Sequence, residues 1–394
     1  MEYSIWLTGL LFFTHMKYGN YQIRAIPRYY LIAIIIFGCI LLSSTLFSFN
    51  HTDTHRMHRV LKMLIILLAI HCLSKQDVHK EIDVVFMTLL ILLISFQFVI
   101  RVILGRPYGT YSNLHYLAEL ACLTLPFFFY YCWTVPKTYK VLFIAIGILN
   151  LDILLRTLSR PGIIALAASV LFAILFLAQG RYRSIKLLIF FFATVALYLT
   201  NYADLSVYIK ELIVNIASEP RVNLWTDTWK MLQHNSWRAW IIGNGIGSFP
   251  DFFPKYSISE NAYLSFPHNH ILQIFFDNGL IGVIAVLAWQ IYLLYLLIKS
   301  SYKTTDLRLR LFINCVAVTY MTWAIFTSLT VGFYSVFSLY PFAFLSGIIL
   351  TLAERVLNGV RYAFTSKPEN FSFNMGNKIS LKTQNADKES DLIV

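Results

Sequence analysis

The chain is organised around residues 267–282, which read PHNHILQIFFDNGLIG. This stretch ends a long polar segment and opens a long apolar one, so it marks the place where a membrane helix meets water. Pro267 suits the first turn of a helix, because its missing N–H would have no partner there. We therefore expect His268 to lie at a helix start, with Asn269 and His270 beside it. The positive end of the helix dipole keeps such a histidine neutral, and a neutral imidazole can act as a general base. A histidine that only caps the helix is the plain alternative.

The composition is typical of a membrane protein. Of the 394 residues, 58% are hydrophobic and 13% are charged, whereas soluble domains carry about 25% charged residues. A run of about 20 apolar residues can cross a bilayer. Ten spans are predicted, at residues 29–48, 60–74, 82–104, 112–133, 141–157, 162–179, 184–200, 270–298, 309–329 and 336–354. We predict an all-α polytopic membrane protein with about 10–12 transmembrane helices and one long outer loop that contains short helices.

The positions of Lys and Arg predict the orientation. Nearly all short basic loops fall on one side when the segment before residue 29 is cytoplasmic, with Arg56 and Arg59 as exceptions. The predicted regions are N-terminal transmembrane helices (1–200), the large outer loop (201–267), C-terminal transmembrane helices (268–355) and a cytoplasmic tail (356–394). The tail is too polar to bury a core, so we expect it to be disordered.

Two arginines on the outer side are candidates for anion binding. Arg160 lies in a tight turn between two spans, where a guanidinium either extends to the membrane surface or binds a phosphate through two hydrogen bonds. Arg221 follows Pro220 in the first turn of a predicted helix, where a cation opposes the dipole and suits a bound anion. The glycine-rich residues 243–247 lack the lysine of a phosphate loop. We interpret them as a turn that packs the outer loop onto the membrane domain.

Several classes of function are excluded by the residue pattern. In a membrane protein the net charge of +12 marks cytoplasmic loops and anionic lipid, so we expect no nucleic-acid partner. None of the five cysteines is spaced as a metal or redox pair. His268 and His270 lack an obvious third ligand for zinc. We therefore expect no cofactor and no metal.

The outer-face motifs resemble those of a known family. His268-Asn269, followed after nine residues by Gly279 and then by Gly282, resembles the histidine signature of the O-antigen ligases. The turn at Ser159-Arg160 resembles the family's periplasmic arginine motif. The helix that carries Arg221, with the glycine-rich turn after it, resembles the wider O-antigen ligase and polymerase superfamily. The resemblance covers about residues 155–290; family members usually have more spans than the ten predicted.

The resemblance implies a function in lipopolysaccharide biosynthesis. Members are metal-independent glycosyltransferases of the Gram-negative inner membrane, with the active site facing the periplasm. They move O-antigen from undecaprenyl pyrophosphate to the lipid A–core acceptor. By motif match, Arg160 and Arg221 bind the pyrophosphate and His268 is the catalytic base of an inverting transfer. Asn269 and His270 are the expected substrate-binding residues.

Two alternatives remain open. An O-antigen polymerase or a protein O-oligosaccharyltransferase of the same superfamily would share the donor and differ in the acceptor. A transporter or flippase for polysaccharide lipids would need ionisable residues near the middle of the membrane and broken helices. The sequence offers few such residues, apart from Asp152, Arg156 and, near a span end, His71.

Overall fold

The structure, a computed structural model, has only helices as regular secondary structure in the residues that it describes. It describes residues 35, 38–39, 59–67, 91–92, 94–100, 105, 114–157, 159–177, 220–257 and 264–357, and these contain no strand. The helices are α1 (Leu114–Thr134), α2 (Lys137–Arg156), α3 (Arg160–Phe172), α4 (Pro220–Gln233), α5 (Trp237–Ile242), α6 (Phe249–Phe252), α7 (His270–Lys303), α8 (Leu307–Thr330) and α9 (Val336–Leu357). A π-helical turn, Ala173–Leu177, extends α3, and a 3-10 turn, Phe253–Lys255, follows α6.

Six of the described helices are long and apolar enough to cross a membrane: α1, α2, α3 with its π-helical turn, α7, α8 and α9. They coincide with six of the ten predicted spans, and the predicted all-α polytopic membrane fold is confirmed. The predicted spans 60–74 and 82–104 are described only in short helical pieces. The predicted spans 29–48 and 184–200, apart from residues 35, 38 and 39, lie outside the described residues, as does the tail beyond residue 357.

Helix α8 lies at the centre of the described bundle, where it packs against α1, α3, α7 and α9. Its Trp323 is fully buried and donates its indole N–H to the Ser338 carbonyl at 2.9 Å. Its Thr319 donates to the Leu123 carbonyl on α1 at 3.3 Å. Lipid gives helices no hydrophobic reason to associate, so close packing and such interhelical hydrogen bonds hold the bundle together.

Helix α7 reverses direction at Gly279, whose φ of 66° and ψ of −166° are not helical. The Nε2 atoms of His270 and Gln290 lie 3.4 Å apart, although a straight helix would separate these residues by about 30 Å. Two arms, residues 270–278 and 280–303, therefore fold back on each other. The second arm is about 36 Å long, which by itself is enough to cross the hydrocarbon core.

The glycine-rich turn of the outer loop docks on this reversal. The Asn244 N–H donates to the Phe276 carbonyl at 2.9 Å, and the Gly245 N–H donates to the Asp277 carbonyl at 3.0 Å. Both carbonyls end the first arm of α7, where they have no partner within the helix. A Cβ at Gly243 would overlap the Asp277 backbone. The prediction that this turn packs the outer loop onto the membrane domain is confirmed.

Replacing Gly279 with Ala should destabilise the protein. Its backbone conformation is essentially restricted to glycine, which implies a strain of about 1–3 kcal/mol for alanine. The added Cβ would also overlap the Ile241 backbone. Thermal unfolding of the purified protein in detergent measures the loss. The matched control is Gly147→Ala in α2, where the added Cβ would lie 3.5 Å from the Phe128 Cβ, an ordinary contact. Equal stability of the two variants would contradict the reversal at Gly279.

Candidate functional site

The three sequence-predicted catalytic residues lie at one end of the bundle, where several helix termini converge. His115 contacts both Ser159 and Arg221, and His268 contacts Thr330. We call the following residues the histidine–arginine cluster: His115 in the first turn of α1, Ser159 and Arg160 at the start of α3, Arg221 at the start of α4, His268 before α7, and Thr330 at the end of α8.

His268 lies in the loop before α7 and not in the helix. Asn269 is the N-cap, because its side chain accepts a hydrogen bond from the Leu272 N–H at 3.0 Å. The helix therefore begins at His270, and the expectation that it begins at Pro267 is wrong. His268 has a φ of 50°, and no other non-glycine residue in the described ranges has a positive φ. Such strain persists where surrounding contacts enforce it, and it is frequent at functional sites.

Three contacts hold the His268 segment in this conformation. The ring packs on Phe266 with 4.5 Å between centroids. The Nδ1 atom lies 2.7 Å from the Thr330 carbonyl oxygen. The indole N–H of Trp225 on α4 donates to the Pro267 carbonyl at 3.0 Å. The outer-loop helix α4 and the central helix α8 therefore both fix the position of His268.

The Thr330 contact determines which His268 nitrogen carries the proton. A carbonyl oxygen can only accept, so Nδ1 bears the hydrogen and Nε2 has a lone pair. Within the described residues, no protein group hydrogen-bonds to Nε2. Burial lowers the pKa of His268 below its ordinary 6.5, the nearby Arg221 charge lowers this pKa further, and the Thr330 bond partly opposes both effects. At neutral pH the ring is a proton acceptor at Nε2.

Arg221 is fixed by the packing of α4. Leu224, Met231 and Leu232 are buried in an apolar cluster with aromatic rings from α6, the following 3-10 turn and the first arm of α7. The Nη2 atom of the Arg221 guanidinium lies 3.0 Å from Nε2 of His115. Because a guanidinium can only donate, His115 Nε2 accepts this bond and its Nδ1 carries the hydrogen.

Arg160 is the first residue of α3. Ser159 caps this helix, since its Oγ accepts from the Gly162 N–H at 3.4 Å. The same Oγ lies 3.3 Å from His115 Nδ1, which donates to it. Arg160 and Arg221 are thus both at helix N-termini, where the dipole and the side-chain charge attract an anion together.

Nothing in the sequence singles out His115. A lone histidine at the start of an apolar segment, here the predicted span 112–133, looks like any residue at the membrane surface. Its partners Ser159 and Arg221 are 44 and 106 residues away along the chain. No local pattern reports contacts over such separations, so only the packing of α1 against α3 and the outer loop identifies this residue.

Asn269 and His270 have partners within the protein. Asn269 caps α7, as described above. His270 is buried and its Nδ1 lies 3.1 Å from the Ser328 hydroxyl and 3.2 Å from the Thr327 hydroxyl, while Gln290 donates to its Nε2. Substrate binding by Asn269 or His270 stays a prediction. No three His, Cys, Asp or Glu side chains of the described ranges are grouped as for a metal ion.

Comparison with known families agrees with these motifs. Residues 145–287 match the sequence model of the family described as O-Antigen ligase. The match confirms the resemblance seen in the motifs and supports a glycosyltransferase-like enzyme of the O-antigen ligase and polymerase group. The matched range contains Arg160, Arg221 and His268, whereas His115 and Thr330 lie outside it. No curated protein matches the chain. The family implies lipid-linked polysaccharide substrates in general.

The protonation state of His268 is directly testable. Nitrogen NMR of protein labelled with 15N-histidine, with the signal assigned by its loss in His268→Gln, should show the Nδ1–H tautomer. The ring should stay neutral as the pH falls through 6.5 and become protonated only below that value, because burial and Arg221 both disfavour the imidazolium. An Nε2–H tautomer, or a midpoint at or above 6.5, would contradict the described geometry.

Proposed function

We propose that the protein is an O-antigen ligase that transfers a polysaccharide from undecaprenyl pyrophosphate to a sugar of the lipid A–core. The proposal rests above all on His268, whose Nδ1–H is held by the Thr330 carbonyl at 2.7 Å so that Nε2 can accept a proton. Arg221 lies close enough to influence the charge of that ring. One neutral base beside fixed cations is what a glycosyl transfer from a pyrophosphate donor requires.

His268 acts as the general base in this proposal. Its Nε2 takes the proton from the acceptor hydroxyl as the hydroxyl oxygen bonds to the anomeric carbon of the donor sugar. The imidazolium that forms is stabilised by Thr330, because the carbonyls at a helix C-terminus carry partial negative charge. The carbonyl at the end of α8 orients the imidazole and fixes its tautomer. A buried aspartate has the same role toward the histidine of a Ser-His-Asp triad.

Arg160 and Arg221 bind the leaving group. The bond from the anomeric carbon to the pyrophosphate oxygen breaks as the new bond forms on the opposite face, so the anomeric configuration is inverted. The electron pair stays on the pyrophosphate, whose growing charge the two guanidinium groups and the N-termini of α3 and α4 stabilise. Since these cations and helix N-termini stabilise the charge of the leaving group, the proposed transfer needs no metal ion.

The distribution of charge supports a periplasmic site. At the opposite end of the bundle, Lys303 donates to the Leu357 carbonyl at 2.9 Å and Tyr302 donates to the Phe176 carbonyl at 2.7 Å. That end also carries the basic residues Lys137, Lys140, Lys299, Arg308, Arg310 and Arg355. The positive-inside rule favours a cytoplasmic location for it. We infer an inner-membrane protein whose histidine–arginine cluster faces the periplasm.

Replacing His268 with Ala should abolish the transfer. General-base catalysis contributes about 10²- to 10⁴-fold to a rate, so long-chain lipopolysaccharide should disappear from gels while lipid-linked polymer accumulates and the protein remains in the membrane. His234→Ala, which changes an exposed histidine on the same outer loop, is the matched control and should leave the ladder intact. Loss of polymer formation itself would favour the polymerase alternative. An unchanged ladder in His268→Ala would exclude His268 as the base.

Replacing either cluster arginine with Lys tests the pyrophosphate contacts. Lysine keeps the charge but cannot form the two parallel hydrogen bonds of a guanidinium. Arg160→Lys and Arg221→Lys should each lower kcat/KM for the lipid-linked donor by about tenfold or more, the equivalent of about 1.4 kcal/mol. Arg238→Lys, on an exposed arginine of α5, should have no effect. Wild-type kinetics in both cluster variants would contradict the assignment.

A further inference from the structure

His115 uses both of its ring nitrogens on two different helices. Its Nε2 accepts from Arg221 at the start of α4, at 3.0 Å, and its Nδ1 donates to Ser159 at the start of α3, at 3.3 Å. Ser159 is adjacent to Arg160. One imidazole therefore connects the N-termini of the two helices that carry the cluster arginines, although α3 begins at Arg160 and α4 begins at Pro220.

This connection restrains a long side chain. An arginine has many rotamers, and ordering it in advance reduces what a ligand must supply. Arg221 also lies close enough to His268 to lower the pKa of its imidazole, so its charge opposes any proton held there. The bond to His115 fixes the orientation of one N–H of the guanidinium.

A neutral imidazole is well suited to this role. A carboxylate in the same place would also hold Arg221, but it would cancel the positive charge that an anion needs. An imidazole whose Nδ1–H is already donated to Ser159 presents only a lone pair to the guanidinium. It aligns Arg221 without neutralising it. The same bond pattern keeps His115 from adding a third positive charge to the cluster.

We propose that His115 is a positioning residue that sets the relative placement of Arg160 and Arg221 and so shapes the pyrophosphate-binding site. The identity of the anion rests on the proposed function. His115 itself contacts protein groups on both sides, so its effect on the anion is transmitted through Arg221 and through the start of α3.

The test compares two substitutions at this position. His115→Phe keeps an aromatic ring and removes both nitrogens. His115→Gln places an amide oxygen near the position of Nε2, so it can still accept from Arg221. Binding of inorganic pyrophosphate to the full-length protein in detergent, measured by calorimetry, needs neither glycan nor acceptor. His234→Phe is the matched control, because His234 is exposed and bonds locally to the Lys230 carbonyl.

We expect His115→Phe to weaken pyrophosphate binding by about tenfold or more, and His115→Gln to recover most of the loss, because the hydrogen bond to Arg221 is restored. The loss of binding in the double variant His115→Phe/Arg221→Lys should be clearly smaller than the sum of the two single losses, since residues that act through each other are not additive. If His115→Phe does not accumulate in the membrane, His115→Ala, which also removes both nitrogens, takes its place in the same comparisons.

Three results would overturn the inference: unchanged binding in His115→Phe, equal weakening by Phe and Gln, or full additivity with Arg221→Lys. These failures differ from a failure of the proposed function. If the wild-type protein does not bind pyrophosphate, or if His268→Ala leaves the lipopolysaccharide ladder intact, the proposed donor site or base is wrong. If wild-type protein binds pyrophosphate and His115→Phe binds it equally well, only the role of His115 is wrong.

Discussion

The reversal of α7 at Gly279 is the constraint on which the rest of the described structure depends. It brings His270 back to Gln290 and exposes the end carbonyls of the first arm, which then receive the glycine-rich turn of the outer loop. That docking fixes the described loop residues 220–257, including α4, and α4 in turn holds the carbonyl before His268. If α7 were straight, the glycine-rich turn would lose its hydrogen-bonding partners. The helix α4 would then no longer hold the segment before His268 in place.

The reversal also explains the spacing of the signature in residues 268–282. Gly279 has a backbone conformation that is essentially restricted to glycine. Gly282 faces the first arm, and a Cβ there would overlap the Asn278 Cβ and lie 3.2 Å from Ile274. The first glycine therefore makes the turn and the second lets the two arms pack closely. The nine residues between Asn269 and Gly279 form the first arm, so its length sets the distance between the site and the turn.

The histidine–arginine cluster combines cations with imidazoles whose bonding keeps them neutral. Arg221 bonds to a lone pair of His115, and His268 donates its only hydrogen to the end of α8. Each imidazole is thereby restricted to one tautomer by a group that can only donate or only accept. The arginines keep their full charge for an anion while a base remains available beside them. Burial lowers the pKa of His268, and the nearby charge of Arg221 lowers it as well.

The sequence by itself determined the membrane class, the positions of the six described spans and the docking role of the glycine-rich turn, and it proposed His268, Arg160 and Arg221 as candidate site residues. Apolar run length, turn residues and short motifs carry that information, because each depends on neighbours along the chain. The fold-back of α7 was missed, although Asn278-Gly279 is a turn dipeptide, because the surrounding segment is predominantly apolar and hydropathy does not register direction. The start of α7 was misplaced by three residues, since Pro267 and Asn269 both mark helix starts and only the bond from Leu272 to Asn269 distinguishes them. His115 and Thr330 were decided by tertiary structure alone, because their partners are 44 to 106 residues away and meet only when the helix ends are packed together.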